Sequence, residues 1–473
     1  MKIFRHYVGL PTVVLALAEG GLFLLAMYAL GFVGQCQSCY FDDVVDFELW
    51  EAVLITGTFL LIVTAAGLYN RDAFLDFRLF VQRFAFASQL VLIPTVFIVG
   101  ILKSAADLPF GWYIGILTVA IALFFIAIFT LRVLLFWTFS VDLLKRRVVI
   151  LGQGRLADMV ANYVDNEGSS HLRCVGRLAQ GQSATSPTIS LGNIVARAKP
   201  FARPAPYARM AESLHAEEIV VATEDRRGLP VEELLRCRLQ GIQVTDYLAF
   251  WEREAGQIDI DHVGAGWLAF AEGFRLNLAR RAVKRTLDIV FSAIFLVVSF
   301  PMMLIVAALI KLDSKGPALF IQDRVGLDGK VFKVFKFRSM RVDAEHDGVP
   351  RWATEDDDRT TRVGRFIRKT RIDEFPQVIN VLKGDMSFIG PRPERPFFIE
   401  QIRKEIPFYD LRHRVRPGIT GWAQVNYRYG ASIADSKKKL AYDLYYVKNS
   451  DALLDLAILL QTARVVVSGH GGR

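Results

Sequence analysis

Two adjacent carboxylates, Asp373 and Glu374, stand in the stretch RIDEFPQ (371–377), close behind Arg368, Lys369 and Arg371. Cations so near favour ionised carboxylates, which suits the pair to act as a nucleophile or a metal ligand. An acid–base couple is the poorer reading, because adjacent helical side chains diverge by about 100° and so touch different atoms of one ligand. Pro376 is best tolerated in a first helical turn, which predicts a helix beginning just before it and capped by Thr370 or Asp373. The carboxylates would then lie at the positive end of that helix, beside cations that attract phosphate. A plain helix cap neutralised by arginines explains the stretch equally well when it is taken alone.

Two later phrases tip the balance. GDMSFIGPRPERP (384–396) reads as a rigid turn with Arg392 between two prolines, and RVRPGITGWAQVNYR (414–428) gathers Arg416, Trp422, Gln424 and Asn426 around two glycines. That density of Gly, Pro, Arg and amides is costly in a core and useful around a nucleotide diphosphate. Upstream, PALFIQDRVGLDGKVFKVFKFRSM (317–340) alternates as a β-hairpin turning at Leu327-Asp328-Gly329, with Lys333, Lys336 and Arg338 as a basic side. Residues 343–362 read as a mobile, charged surface loop.

The elements that must position these groups begin with an apolar stretch, Leu287–Leu312, flanked by Arg280, Arg281, Lys284 and Arg285 before it and Lys311 and Lys315 after it. At 1.5 Å per residue it could reach about 36 Å, enough to cross a bilayer. Pro301 near its middle removes a backbone donor and bends the helix. Basic residues on both flanks favour a bent, re-entrant segment over a crossing.

Four further apolar stretches, roughly Gly9–Val33, Trp50–Leu68, Leu79–Leu102 and Trp112–Trp137, are each near the length a spanning helix needs. The first is too long for a cleaved signal peptide and lacks a clear small-residue cleavage site. Lys2 and Arg5, then Arg71, Arg78 and Arg83, then Lys145, Arg146 and Arg147 mark one side, while Asp42, Asp43, Asp46 and Glu48 mark the other. Both ends of the bundle are therefore expected in the cytoplasm.

Between these regions lies RRVVILGQGRLADMVANYV (146–164), a β-branched run followed by Gly152-x-Gly154-x-x-Ala157 and a helical pattern. That opens a Rossmann-type unit. EEIVVAT (217–223) and GIQVTDY (241–247) read as later strands, and the polar, Pro-rich segment before them as a loop. A small α/β domain over 146–265 follows. A lone glycine fingerprint is weak evidence for a cofactor, and the second strand, CVGRLAQ, carries no acid for a ribose, so a scaffold is favoured over a dinucleotide site.

Composition agrees with a membrane protein bearing a large cytoplasmic part. The 473 residues are 52% hydrophobic, with a formal net charge of +9. The charge alone would suit a nucleic-acid binder, but the hydropathy does not. Cys36, Cys39, Cys174 and Cys237 cannot build a disulfide framework. Cys36 and Cys39 form CQSC, read either as a short disulfide or as two bystander thiols.

KFRSM, RKTRIDEFPQVINVLKGDMSFIGPRPERP and RVRPGITGWAQVNYR resemble the bacterial sugar transferase family, the monotopic phosphoglycosyl transferases or polyprenyl-phosphate hexose-1-phosphate transferases. The resemblance covers 280–473 densely. Four membrane helices ahead of a Rossmann-like domain resemble the large members, with details similar to the exosortase-associated exopolysaccharide type. The implied fold is membrane α+β: a four-helix transmembrane bundle (1–140), a central Rossmann-like α/β domain (146–265), and a catalytic domain (280–473) with a re-entrant helix (287–312).

The implied reaction takes a UDP-sugar and undecaprenyl phosphate to undecaprenyl-diphospho-sugar and UMP. Under that resemblance Asp373 attacks the sugar-bearing phosphorus and Glu374 helps hold Mg2+. Arg368 grips phosphate, while Lys336, Arg338, Arg392, Arg416 and Gln424 bind substrate. Pro301 breaks the re-entrant helix. The family breaks that helix at a Ser-Pro pair; here Ser299 is displaced by one residue, which puts its backbone-satisfying hydrogen bond in question. The resemblance further implies a multi-pass protein of the bacterial inner membrane, its catalytic domain on the cytoplasmic face, with a homodimer plausible and no nucleic-acid partner. A nucleotide-sugar redox or epimerising enzyme would need a Tyr-x-x-x-Lys pair, and no Tyr here has a Lys four residues on. A non-catalytic export scaffold would tolerate Asp373→Asn.

Overall fold

The computed structural model describes residues 2–3, 6–7, 15–26, 49–69, 77–103, 110–138, 145–166, 172–178, 188–191, 194–197, 206–274, 278–342, 344, 358–427, 430 and 432–467. Cys36, Cys39, the acidic first loop and most of the loop expected at 343–362 lie outside the described residues. The chain divides into two compact units, Met1–Glu254 and Ala255–Arg473. The boundary falls inside the stretch 146–265.

In the first unit, four helices, α1 (Leu15–Ala26), α2 (Leu49–Ala65), α3 (Phe77–Lys103) and α4 (Phe110–Thr138), share one apolar cluster. Phe23 stacks on Phe59 at 4.4 Å, and Phe124 meets Phe23 edge-on at 4.7 Å. A buried ion pair ties this cluster together: Arg132 donates from Nε to Glu19 Oε1 at 2.7 Å, and Tyr69 donates to Glu19 Oε2 at 2.7 Å. Leu17, Leu22, Leu25, Leu123 and Ile126 instead face outward.

A four-stranded parallel sheet follows, in the order β2-β1-β3-β4, built from β1 (Arg146–Leu151), β2 (Leu172–Leu178), β3 (Glu218–Val221) and β4 (Gln243–Asp246). Helices α5 (Arg155–Asn166), α6 (Pro206–Ser213), α7 (Val231–Leu239) and α8 (Tyr247–Ala255) lie between and after the strands. All four residues of β3 are buried, as a central parallel strand requires. After β1 the chain turns at Gly152, φ +145°, where an added Cβ would meet the Ala222 carbonyl oxygen at 2.1 Å. Only glycine fits so close a crossing. The buried Glu218 is held by Arg253 through two contacts of 2.9 Å and by Arg146 at 3.1 Å. One expectation fails here: part of the polar segment read as loop forms an antiparallel pair, Thr188–Leu191 with Ile194–Arg197. The β-branched residues in TIS and IV outweigh the polar surroundings.

The second unit is organised along one long helix, α9 (Leu278–Asp313). Among the described residues, this is the one helix both long and apolar enough to cross a membrane. Strands β5 (Leu319–Val325) and β6 (Val331–Phe337) form the expected hairpin, with Asp328 (φ +52°) and Gly329 (φ +78°) making its turn. Helices α10 (Arg362–Lys369) and α11 (Gln377–Lys383) follow, then β7 (Ser387–Ile389), α12 (Pro396–Glu405), β8 (Gly418–Thr420), α13 (Ile433–Asn449) and α14 (Ala452–Val467). β7 pairs parallel to β8. There Gly418 is required by close approach, since an added Cβ would lie 2.1 Å from the Gly390 nitrogen. A capping box starts α13, with Ser432 Oγ accepting from Asp435 N at 3.1 Å and Asp435 Oδ2 accepting from Ser432 N at 3.0 Å.

Both ends of α9 are fastened to this unit. Near the start, Arg285 donates to the carbonyls of Val381 and Leu382 at 2.6 and 2.8 Å. The buried Asp288 accepts from Ser387 Oγ at 2.9 Å and Phe388 N at 3.1 Å. At the far end, Asp313 Oδ2 accepts from Val363 N at 3.1 Å, and Val306 and Ile310 pack with Phe337 and Ile367. Along the opposite face, Ile294, Val297, Val298, Leu304 and Ile305 are exposed. Pro301 lies within the helix, and Ser299 Oγ donates to the Phe295 carbonyl at 2.6 Å. That carbonyl is not the one whose partner Pro301 deletes, which belongs to Val297. The displaced serine therefore bonds backbone without filling the gap.

Candidate active site

The acidic pair does not sit where a helix cap would. Thr370 closes the preceding helix α10, and Arg371 takes a left-handed conformation (φ +59°). Asp373 and Glu374 then occupy a short 3-10 turn, Ile372–Glu374, and Pro376 itself precedes α11 with no side-chain cap. The expectation of Thr370 or Asp373 as cap is thus corrected. The physical reason is Arg371, whose reversal of the chain separates α10 from the turn. Phe375 anchors the turn against α9, its ring 4.9 Å from that of Phe295.

Helix α11 is docked by Asn380, fully buried, which donates to the Lys333 carbonyl at 2.7 Å and accepts from Phe335 N at 3.0 Å. This side chain completes the edge of β6 and brings Lys336, one residue on, to the acidic pair. Lys336 Nζ donates to Glu374 Oε1 at 3.2 Å, Arg392 Nη2 donates to the same oxygen at 2.6 Å, and Arg371 Nη1 stands 3.7 Å from it. Arg392 Nη1 reaches Glu374 Oε2 at 3.5 Å.

The two carboxylates therefore have opposite fates. Burial pushes Glu374 up, but Arg392, Lys336 and Arg371 outweigh it and hold its carboxyl well below the usual range. Burial and the charge of Glu374 push Asp373 the other way, to about 6. Asp373 Oδ1 is buried with no hydrogen-bond partner. Glu374 is thus firmly ionised, and Asp373, raised to about 6, is still mostly an anion at neutral pH, as expected, although the cations pair directly only with Glu374. Burial also lowers the Lys336 amine, against the pull of Glu374.

Of the other residues singled out by sequence, Arg338 is buried beneath the end of α9 and donates to the carbonyls of Ser314 and Lys315 at 2.8 and 3.0 Å. Arg368 is half-buried in the last turn of α10 and, among the described residues, makes no ion pair with Asp373 or Glu374. Arg416 donates to the Gly384 carbonyl at 2.9 Å, and Gln424 to that of Ile419 at 3.1 Å, so neither joins the pair directly. Pro301 lies in α9, apart from these contacts.

One support escaped sequence reasoning. Arg412, 5% exposed, binds Asp443, 2% exposed, at 2.7 and 3.0 Å, takes Tyr409 OH at 2.7 Å, and donates from Nη2 to the Arg392 carbonyl at 2.8 Å. It thus fixes the backbone of the residue that grips Glu374. The partners lie 31 residues apart in the chain, which no local motif announces.

Among the described residues no three His, Cys, Asp or Glu gather as a metal cage. A divalent ion here would rest on the acidic pair and on phosphates of a ligand, the usual mode for Mg2+. Glu374 Oε2, with its long contact to Arg392, suits that role better than the crowded Oε1.

Residues 279–469 match the family described as bacterial sugar transferase. The chain is 46% identical over 241 residues to a UDP-N-acetylgalactosamine-undecaprenyl-phosphate N-acetylgalactosaminephosphotransferase of Aeromonas hydrophila, covering 51% of this chain and 56% of that one. It is 44% identical over 189 residues to the UDP-glucose:undecaprenyl-phosphate glucose-1-phosphate transferase of Escherichia coli (strain K12), covering 40% of each. For the protein of that name from Caulobacter vibrioides the identity is 41% over 181 residues, covering 38% of this chain and 67% of the relative. The alignments thus span about half the length of the first two relatives. The chain belongs to the bacterial sugar transferase family.

Proposed function

We propose that the chain transfers a hexose 1-phosphate from a UDP-sugar to undecaprenyl phosphate, releasing UMP and starting a lipid-linked exopolysaccharide. The observation that carries this reading is the division of one acidic pair, with Asp373 half-buried and its Oδ1 unpartnered beside a Glu374 clamped by three cations. An unpaired carboxylate away from water is a stronger nucleophile than one satisfied by donors. In its ionised form Asp373 attacks the sugar-bearing phosphorus. The Asp373–phosphorus bond forms as the bond to the bridging oxygen breaks, and UMP leaves with that electron pair. An oxygen of the polyprenyl phosphate then attacks the same phosphorus and frees the carboxylate. Lys336, Arg371 and Arg392 hold Glu374 and leave excess positive charge for the diphosphate, their own three charges exceeding the one they neutralise. Mg2+, held by Glu374 Oε2 and the diphosphate, would supply further charge neutralisation.

The lipid acceptor requires the site at the headgroup level. Support comes from α9, whose two ends are tied to the same polar unit while one face stays apolar and exposed. We read it as re-entrant, with both ends on the cytoplasmic face of the inner membrane. The outward-facing leucines of α1 and α4 support a spanning four-helix bundle, and the parallel sheet supports a Rossmann-like scaffold over the rest of the first unit. A homodimer is part of the same reading.

The test is UMP release by the purified full chain, given undecaprenyl phosphate and a panel of UDP-glucose, UDP-galactose and their N-acetylated forms. One sugar is expected to give lipid-dependent turnover. No UMP from any member of the panel would overturn the proposal.

A further inference from the structure

We infer that Gln377 is a further catalytic residue, donating a hydrogen bond from its amide Nε2 to a non-bridging oxygen of the phosphoryl group that Asp373 captures. The inference rests on the reaction proposed above. Gln377 is 2% exposed, yet its Nε2 has no hydrogen-bond partner. The residue opens α11 four positions after Asp373, and Asp373 Oδ1 is the other buried, unpartnered polar atom of this short stretch. A buried donor and a buried acceptor left open within five residues of chain are costly as packing, and native structures rarely keep such groups without a use.

The neighbours that could have satisfied the amide are already engaged. Asn380 is committed to Lys333 and Phe335, and Glu374 Oε1 to Lys336 and Arg392. What remains in this stretch is one open acceptor, Asp373 Oδ1, and one open N–H donor, Gln377 Nε2. A phosphoryl group in transfer carries its charge on equatorial oxygens, and a donor already in place stabilises that charge without reorganisation. The amide gives up no proton, so the balance of the step stays as written: one phosphorus–oxygen bond forms at Asp373 and one breaks toward UMP.

The experiment uses the full chain in lipid nanodiscs, single-turnover UMP release without acceptor lipid, and thermal melting, for wild type, Gln377→Met and Gln377→Glu. Gln377→Met keeps the volume and removes the stranded donor, so its melting temperature should equal or exceed the wild-type value. Its first step should slow about 100-fold, the scale of losing one such donor, and equally for every UDP-sugar the wild type accepts. Gln377→Glu should be slower again, since it sets a third carboxylate against the phosphates. A Gln377→Met rate within about threefold of wild type would overturn the inference. So would a fall in melting temperature that parallels the rate loss, which marks a structural role, or a loss confined to one sugar, which marks a sugar contact. A wild type that releases no UMP fails at the reaction itself, before any variant is compared, and removes the inference with it.

Discussion

Arg392 Nη2 stands 2.6 Å from Glu374 Oε1, and this contact spends on one carboxylate the charge that its neighbour would need to be stable as an anion. Asp373 is left half-buried, repelled by Glu374 and without a donor to Oδ1. The chemistry proposed for this family member follows from that inequality.

Asp373→Asn should abolish the first step, with UMP release falling by at least about a thousandfold, while the fold gains stability. At neutral pH the wild-type carboxylate bears a charge that burial and Glu374 both oppose. The amide carries none, so the melting temperature should rise by a few degrees, about 2–4 °C for each kcal/mol in a unit of this size. A melting temperature that falls would mean that Asp373 supports the structure.

The pH dependence has a defined sign. Asp373 is held up to about 6, so the free enzyme should lose kcat/KM as pH falls through about 6, where the attacking group takes a proton. Stability should run the other way. A carboxyl with a raised pKa stabilises the fold fully below its unfolded value and loses that contribution as pH rises to about 6. Glu374, held low, contributes above its unfolded value and loses this only as pH falls well below it. Melting against pH for wild type and Asp373→Asn should therefore differ in slope between roughly pH 4 and 6 and nowhere else.

Arg412 and Asp443 should behave as one unit. Burial raises Asp443 although Arg412 opposes it, and Asp443 in turn helps keep Arg412 protonated. Contacts of 2.7 and 3.0 Å to so basic a group leave the pair ionic. Asp443→Ala strands a buried guanidinium and should cost about 3–5 kcal/mol. Arg412→Met with Asp443→Leu should cost clearly less than the sum of the single changes in a double-mutant cycle. Arg412→Met should also slow UMP release, because the Arg392 carbonyl loses its donor.

Single cysteines placed at Arg281 and Lys315, in a chain whose own cysteines are replaced by serine, should react with an impermeant maleimide from the same side of a vesicle. Labelling from opposite sides would remove Asp373 from a cytosolic donor.

What sequence could reach was local. The hairpin turn at Asp328-Gly329 is marked by residues within a few positions. Partners distant in the chain left no mark. Nothing near Asp288 in the chain announces that Ser387, 99 residues later, donates to it. Nor does anything in an alternating strand say that Ser314 and Lys315 will end beside Arg338. The inequality of Asp373 and Glu374 was hidden for the same reason: counting nearby cations does not reveal which carboxylate they pair with.

The most direct test is intact-protein and peptide mass spectrometry after incubating the full chain with a UDP-sugar it accepts, without acceptor lipid. The account predicts a sugar-phosphate adduct on the peptide bearing Asp373, discharged when undecaprenyl phosphate is added. Steady UMP release with no adduct, or with the adduct on another residue, would contradict it.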